Sequence, residues 1–219
     1  MFTANFIRRH IFRLPRGRIF TTRELLSYGQ RATVDKVLGR LVKKEIIVRL
    51  ARGVFVRLDP GEPFPCAFEV ARAKAHAFGK RIARHCADIA KELGLVADGP
   101  AEPTFAVSGR SSSFRYGHQV IHLKGTCLRK MRIKESNAGL VIRALWHRGR
   151  AACSYEAVRK ATEIAWRRQD REELRQSKAW MPAWMGRYFP TLRYCDMTLD
   201  NRWRSLLCSE PTPSYLATG

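Results

Sequence analysis

Residues 16–58 read RGRIFTTRELLSYGQRATVDKVLGRLVKKEIIVRLARGVFVRL, and the middle of that stretch decides how the rest of the chain is read. Between Arg31 and Lys44, the residues Val34, Val37, Leu38, Leu41 and Val42 recur at the spacing of one apolar helix face. The opposite face carries Thr33, Lys36, Arg40 and Lys43. Two short runs follow, Ile46 to Leu50 and Val54 to Leu58, rich in β-branched and aromatic residues and joined by Ala51-Arg52-Gly53. Such runs about a Gly-containing link predict a β-hairpin, here decorated by Arg49, Arg52 and Arg57.

Upstream, residues 3–14 predict a helix with Phe6, Ile7, His10, Ile11 and Leu14 inward and Arg8, Arg9 and Arg13 outward, closed by Pro15 and Gly17. Arg18 to Phe20 reads as a short strand able to pair with the hairpin. Thr21 or Thr22 then caps a second helix with Glu24 in its first turn, and Gly29 stops it. Helix, strand, helix, turn, helix and hairpin within 58 residues is the order of a winged helix-turn-helix. In that fold the third helix lies in the major groove and the hairpin is a wing that reaches phosphates or the minor groove. The DNA-contacting set expected on this basis is Arg18, Arg31, Thr33, Lys36, Arg40, Lys43, Arg49, Arg52 and Arg57. Asp35 and Glu45 are the acidic exceptions, expected to point away from DNA.

The charge supports a polyanionic partner. The 219 residues carry a formal +22, with a pI near 10.6. Residues 1–58 hold 14 Lys and Arg against 3 Asp and Glu, a net +11, so half the excess lies in about a quarter of the chain. No apolar run approaches the roughly 20 residues that span a bilayer, and no signal peptide precedes a small-residue cleavage site, so a cytoplasmic protein without a membrane partner is expected. Cys66, Cys86, Cys127, Cys153, Cys195 and Cys208 include no C-x-x-C pair, which argues against zinc and against a disulfide framework.

The remainder predicts a small α+β region followed by helices. The expected organisation is a winged helix-turn-helix at 1–58, a Pro-rich linker at 59–65, an α+β domain with C-terminal helices at 66–190, and a poorly ordered tail at 191–219. Within it, helices are expected at 68–78, 85–93, 137–148 and 155–168, with another starting at the Asp170/Glu173 capping box. Strands are expected at 80–83, 104–108, 112–116 and 119–123. Trp180, Met181, Trp184 and Met185 close the C-terminal core in the preferred reading; the rival reading makes them a partner-docking patch.

Catalytic signals are missing. Neither Leu14 to Arg18 nor Ser108 to Ser112 has the spacing of a phosphate-binding Gly loop, and no acidic pair suggests a metal nuclease. The serines of 108–113 read as a turn between strands. His118 and His122 are four apart, but in a hairpin that spacing does not bring them together as on a helix. No enzyme activity, cofactor or metal is expected.

Three runs carry a family likeness: Leu14-Pro-Arg-Gly-Arg-Ile-Phe-Thr, Arg31-Ala-Thr-Val-Asp-Lys-Val-Leu-Gly-Arg-Leu-Val and Ile47-Val-Arg-Leu-Ala-Arg-Gly-Val-Phe. Together they resemble the winged-helix antitoxins of the AbiEi type. Ala87-x-x-Ala-x-x-Leu-Gly-Leu95, Pro103 to Arg110 and Tyr116-Gly117 resemble the middle domain of that group, so the likeness spans roughly residues 5–190. The resemblance implies an antitoxin of a type IV toxin-antitoxin system: a winged helix that binds double-stranded DNA at its own operator and represses transcription, and a C-terminal domain that counters a nucleotidyltransferase-like toxin. The family's basic DNA-contacting positions would fall on Lys36, Arg40, Arg49 and Arg52. The expectation is therefore a sequence-specific transcriptional regulator. The alternative is a non-specific nucleic-acid-binding or architectural protein of a mobile element.

Overall fold

The structure, a computed structural model, describes residues 2–165 and 170–189. It is an α+β fold, as the sequence predicts. The chain divides into two compact units, one of residues 1–88 with 100–132 and one of residues 89–99 with 133–219.

The first unit opens with helix α1 (Phe2–Arg13), strand β1 (Ile19–Thr21) and a 3-10 helix (Thr22–Tyr28), followed by helix α2 (Arg31–Lys43) and strands β2 (Val48–Ala51) and β3 (Val54–Val56). Ile7, Ile11 and Leu14 meet Phe20, Leu25, Val34, Val37, Leu38, Leu41, Ile47 and Phe55 in one core. Phe6 is not part of the inward stripe expected of it: it is 52% exposed. Ile7, Ile11 and Leu14 fill the buried arc, and His10 instead meets the Tyr28 hydroxyl at 3.0 Å. The expected second helix is 3-10 rather than α. It spans only seven residues before Gly29, and the Glu24 carboxylate draws in its start by accepting from the Thr21 amide at 2.9 Å and hydroxyl at 3.1 Å.

The hairpin pairs antiparallel with β1 in a three-stranded sheet of order β1-β3-β2. Ala51 pairs with Val54 across Arg52 and Gly53, and Gly53 has φ +77°, the left-handed geometry such a tight turn requires. The Gly53 carbonyl also accepts from the Thr22 amide at 3.0 Å, fastening the turn to the 3-10 helix.

Helix α3 (Ala67–Ala77) leads to β4 (Ile82–Arg84), helix α4 (Cys86–Glu92), β5 (Thr104–Ser108), β6 (Ser112–Tyr116) and β7 (Gln119–Thr126). These strands form a second sheet of order β4-β5-β7-β6, antiparallel except for the β5–β7 pair. Val70 of α3 packs with Leu50, Ala51, Val54 and Val56 of the first sheet, while Ala71 and Ala75 pack on Val107, Ile121 and Leu123 of the second. One helix thus supplies apolar surface to both sheets. The segment expected as a linker at 59–65 lies within this unit and is held: Asp59 pairs with Arg16 at 3.0 Å, and the Pro65 carbonyl accepts from the Tyr116 hydroxyl at 2.6 Å.

In the second unit, helix α6 (Asn137–Arg148) is the buried element, with Ala138, Val141, Ile142, Ala144 and Leu145 fully enclosed; the short helix α5 (Leu128–Met131) precedes it in sequence. The Ser136 hydroxyl caps α6 by accepting from the Gly139 amide at 3.3 Å. Around it lie Ile89, Leu93, Cys153, Ala157 and Val158 of α7 (Tyr155–Ala165), Leu174 of α8 (Asp170–Ser177), and Met181, Met185, Tyr188 and Phe189. Met185 is 0% exposed and Met181 is buried, and Trp180 and Trp184 lie half-buried against the same core. The docking reading is therefore corrected for both methionines: the apolar segment closes the core. Residues 166–168 of the expected seventh helix and the tail at 191–219 lie outside the described residues. Among the described residues no helix is long and apolar enough to cross a membrane.

Candidate nucleic-acid interface

The periodicity of α2 determines which side chains face solvent. Val34, Val37, Leu38 and Leu41 are buried, so at 100° per residue the opposite arc is centred on Ala32, Lys36, Gly39 and Lys43, with Arg40 and Thr33 on one flank and Arg31, Asp35 and Val42 on the other. All of the arc is exposed except Val42, which is half-buried against the core. Lys36, Arg40 and Lys43 enter no ion pair or hydrogen bond among the described residues, so their charge is available to a ligand. Gly39 leaves a bare patch at the centre: a Cβ added there would meet nothing within 4 Å.

The second flank faces the hairpin across a cleft of about 480 Å³, lined by Arg31, Asp35, Gly39 and Lys43 from the helix and by Arg49, Arg52 and Phe55 from the strands. The Arg49 guanidinium lies 5.8 Å from the Phe55 ring centroid, a cation–π contact that fixes its direction without neutralising it. Arg52 stands exposed at the tip of the turn. Asp35 departs from expectation. It does not point away from this surface but lines the cleft, 3.5 Å from Arg31 at i,i+4, and so offsets one of its cations.

Of the nine residues predicted to contact DNA, the structure gathers Arg31, Lys36, Lys43, Arg49 and Arg52 around α2 and the turn, with Thr33 and Arg40 on the outer flank. Arg18 lies apart from this cleft, exposed and paired with Glu24 at 3.2 Å. Arg57 is a correction. It is 8% exposed; its guanidinium donates to the carbonyls of Phe12 and Leu14, both at 3.0 Å, and lies 5.3 Å from the Phe12 ring centroid. The strand ends at Val56, so alternation no longer governs Arg57, which turns inward to satisfy two carbonyls at the C-terminal end of α1. It holds the fold and offers no free donor face to a phosphate.

Sequence reasoning missed four cations near the turn: Arg23, Lys74, Lys80 and Arg110, which share one cavity wall with Arg52. They come from four separate segments, so no periodicity joins them. The only sequence signal was the continued positive balance of residues 59–134, with 13 Lys and Arg against 7 Asp and Glu. Lys74 reaches the turn itself, donating to the Arg52 carbonyl at 3.2 Å and sitting 4.8 Å from the Phe114 ring centroid. Burial, and after it the Arg52 guanidinium, hold the Lys74 ammonium below its ordinary pKa.

Other chemistry is sparse. Cys66, Cys86, Cys127 and Cys153 form no disulfide, and burial raises the pKa of the Cys153 thiol. His122 pairs with Glu102, while His118 occupies the tight turn between β6 and β7. Among the described residues no group of three or more His, Cys, Asp or Glu is placed to hold a metal ion. No curated protein matches the chain, and no solved structure does. Residues 6–174 match DUF6088, a family of unknown function, and the chain belongs to that family.

Proposed function

We propose that this chain is a sequence-specific DNA-binding transcriptional regulator whose first 58 residues act as a winged helix-turn-helix. The observation that carries the reading is the exposed arc of α2. A helix anchored by four buried aliphatics presents Lys36, Arg40 and Lys43 unpaired, beside a hairpin whose Arg49 and Arg52 line a cleft with Lys43. Helix α2 enters the major groove, where Arg40 and Lys36 read base edges, and the β2–β3 turn follows the backbone. The likeness to AbiEi-type antitoxins supports the narrower proposal that the DNA is the operator of its own gene and that the second unit counters a nucleotidyltransferase-like toxin encoded beside it. No cofactor or catalytic step enters this reading, and the setting proposed is the cytoplasm.

The test is fluorescence anisotropy of the full chain on the DNA upstream of its own gene and on a shuffled duplex, at two salt concentrations. A preference of about a thousandfold that persists at the higher salt is expected. If about six phosphates are neutralised, log K falls against log salt with a slope near −5. Equal affinity for both duplexes, lost with salt, would refute a specific regulator and leave a non-specific architectural protein. Rescue of growth when the chain is co-expressed with the neighbouring nucleotidyltransferase-like protein tests the antitoxin role; no rescue removes it.

A further inference from the structure

A second cavity, of about 760 Å³, opens on the other side of the wing turn. Its wall includes the side chains of Arg23, Arg31, Arg52, Lys74, Lys80 and Arg110 and contains no carboxylate. The absence of acid on the wall matters because Arg16 and Arg18 of this unit are offset, by Asp59 and Glu24, whereas of these trough cations Arg31 alone has an acidic partner among the described residues, Asp35, which lies outside the wall.

Three cations of the trough are held by carbonyls instead. Arg23 donates to the Ala77 carbonyl at 2.7 Å, Lys74 to that of Arg52 at 3.2 Å, and Lys80 to that of Arg110 at 2.7 Å. A carbonyl dipole orients a cation and leaves its net charge in place, and a tethered ammonium keeps two further N–H donors. The loop bearing Arg110 is pinned as well. The Ser111 hydroxyl accepts from the Gly125 amide at 2.8 Å, and the Gly109 carbonyl comes so near Gly125 that a Cβ there would lie 2.3 Å from it. These groups are therefore preorganised, which lowers the ordering cost of binding an anion.

The trough also continues the cleft of α2. Thr22, Arg31, Arg52 and Gly53 line both cavities, so the two meet at the base and tip of the wing. The Thr22 hydroxyl at that junction is buried and has no hydrogen-bond partner.

We propose that this trough is a second phosphate-binding site, which holds the DNA backbone beyond the wing so that the footprint runs from α2 across Arg52 to the β5–β6 loop. The assignment extends the interface proposed above and rests on it only in taking the ligand to be duplex DNA; sequence preference is not required. Lys80 and Arg110 supply the far contacts, and neither belongs to the predicted winged-helix segment.

The experiment uses the full chain with the K80Q/R110Q double variant and with R110Q alone, which leaves the Lys80 tether to the Arg110 carbonyl intact. Affinity is followed against salt on a 30-bp duplex from the upstream DNA, on a random 30-bp duplex, and on a shortened duplex. Removing two phosphate contacts should make the salt slope shallower by about 1.8, and R110Q alone by about 0.9. The shortened duplex, lacking the backbone beyond the wing, should no longer distinguish the variants from the parent. An unchanged slope in both variants on the 30-bp duplexes, with R40A still weakening binding, would overturn the trough and leave the α2 reading standing. A shallower slope on random and upstream duplex alike, with no preference between them, would support the trough and sink the specific regulator. No binding of the parent chain to any duplex would overturn both. Weakening by the variants that persists undiminished on the shortened duplex would also overturn the proposal, since the contacts would then lie elsewhere.

Discussion

Gly39 offers the sharpest separation of stability from recognition. It stands in the middle of α2, on the exposed arc between Lys36 and Lys43, where an added Cβ meets nothing within 4 Å. In a helix interior glycine is about 0.8–1 kcal/mol less favourable than alanine, and the methyl of Gly39→Ala neither clashes nor needs a new backbone conformation. The substitution should therefore stabilise the protein by about 0.8 kcal/mol, a rise in melting temperature of roughly 2–5 °C for a unit of this size. If α2 lies in the groove on this arc, the same methyl is pressed into a close-packed interface. Overpacking costs typically about 1–3 kcal/mol, so affinity for the upstream duplex should fall by roughly 5- to 150-fold. Thermal melts followed by circular dichroism and anisotropy titrations on one preparation read both quantities. A variant that melts higher and binds DNA as tightly as its parent would refute the placement of this arc against the duplex. One that melts lower would refute the solvent-facing position of Gly39 itself.

The remaining predictions concern single residues. Arg57→Ala strands the carbonyls of Phe12 and Leu14, and should lower unfolding stability by about 3 kcal/mol in urea melts; a variant as stable as the parent would return Arg57 to the list of ligand contacts. Lys74 has its pKa lowered by burial and by Arg52, and a phosphate beside it would raise that value again. Binding then takes up a proton, so affinity should fall as pH rises through the lowered pKa of the free protein, below the ordinary lysine range. Lys74→Arg should flatten that fall, and an identical pH profile for both proteins would show that Lys74 is not near the anion. Brief iodoacetamide treatment of the native protein, read by peptide mass spectrometry, should alkylate exposed Cys66 and Cys127 and spare buried Cys86 and Cys153. Equal labelling of Cys153 would contradict the closed core around Tyr188, whose hydroxyl donates to the Cys153 carbonyl at 2.6 Å.

How far the fold was legible depended on how local its causes are. Val34 to Leu41 announced α2 because a helix buried on one side writes its period into consecutive residues. The hairpin was legible because Arg52-Gly53 interrupts two β-branched runs. Arg57 was misread because a strand boundary moved by two residues, and with it the side of the sheet to which the arginine turns. Phe6 was misplaced because an apolar residue beside a stripe looks like part of it until neighbours fill the space. The trough could not be read at all, since Arg23, Lys74, Lys80 and Arg110 become neighbours only once α3 and the β5–β6 loop are packed.

The position of α3 has a consequence for what moves with what. Val70 looks to the sheet that carries the β2–β3 turn, and Ala71 and Ala75 look to the sheet whose β5–β6 loop carries Arg110. A fragment cut after residue 58 would leave Leu50, Ala51, Val54 and Val56 without their Val70 lid, so the first 58 residues are not a transplantable cassette. In hydrogen exchange the amides of β3 and of β7 should lose protection together, as one cooperative block hinged on a single helix. Whatever loosens α3 would free the β2–β3 turn and the β5–β6 loop in the same event.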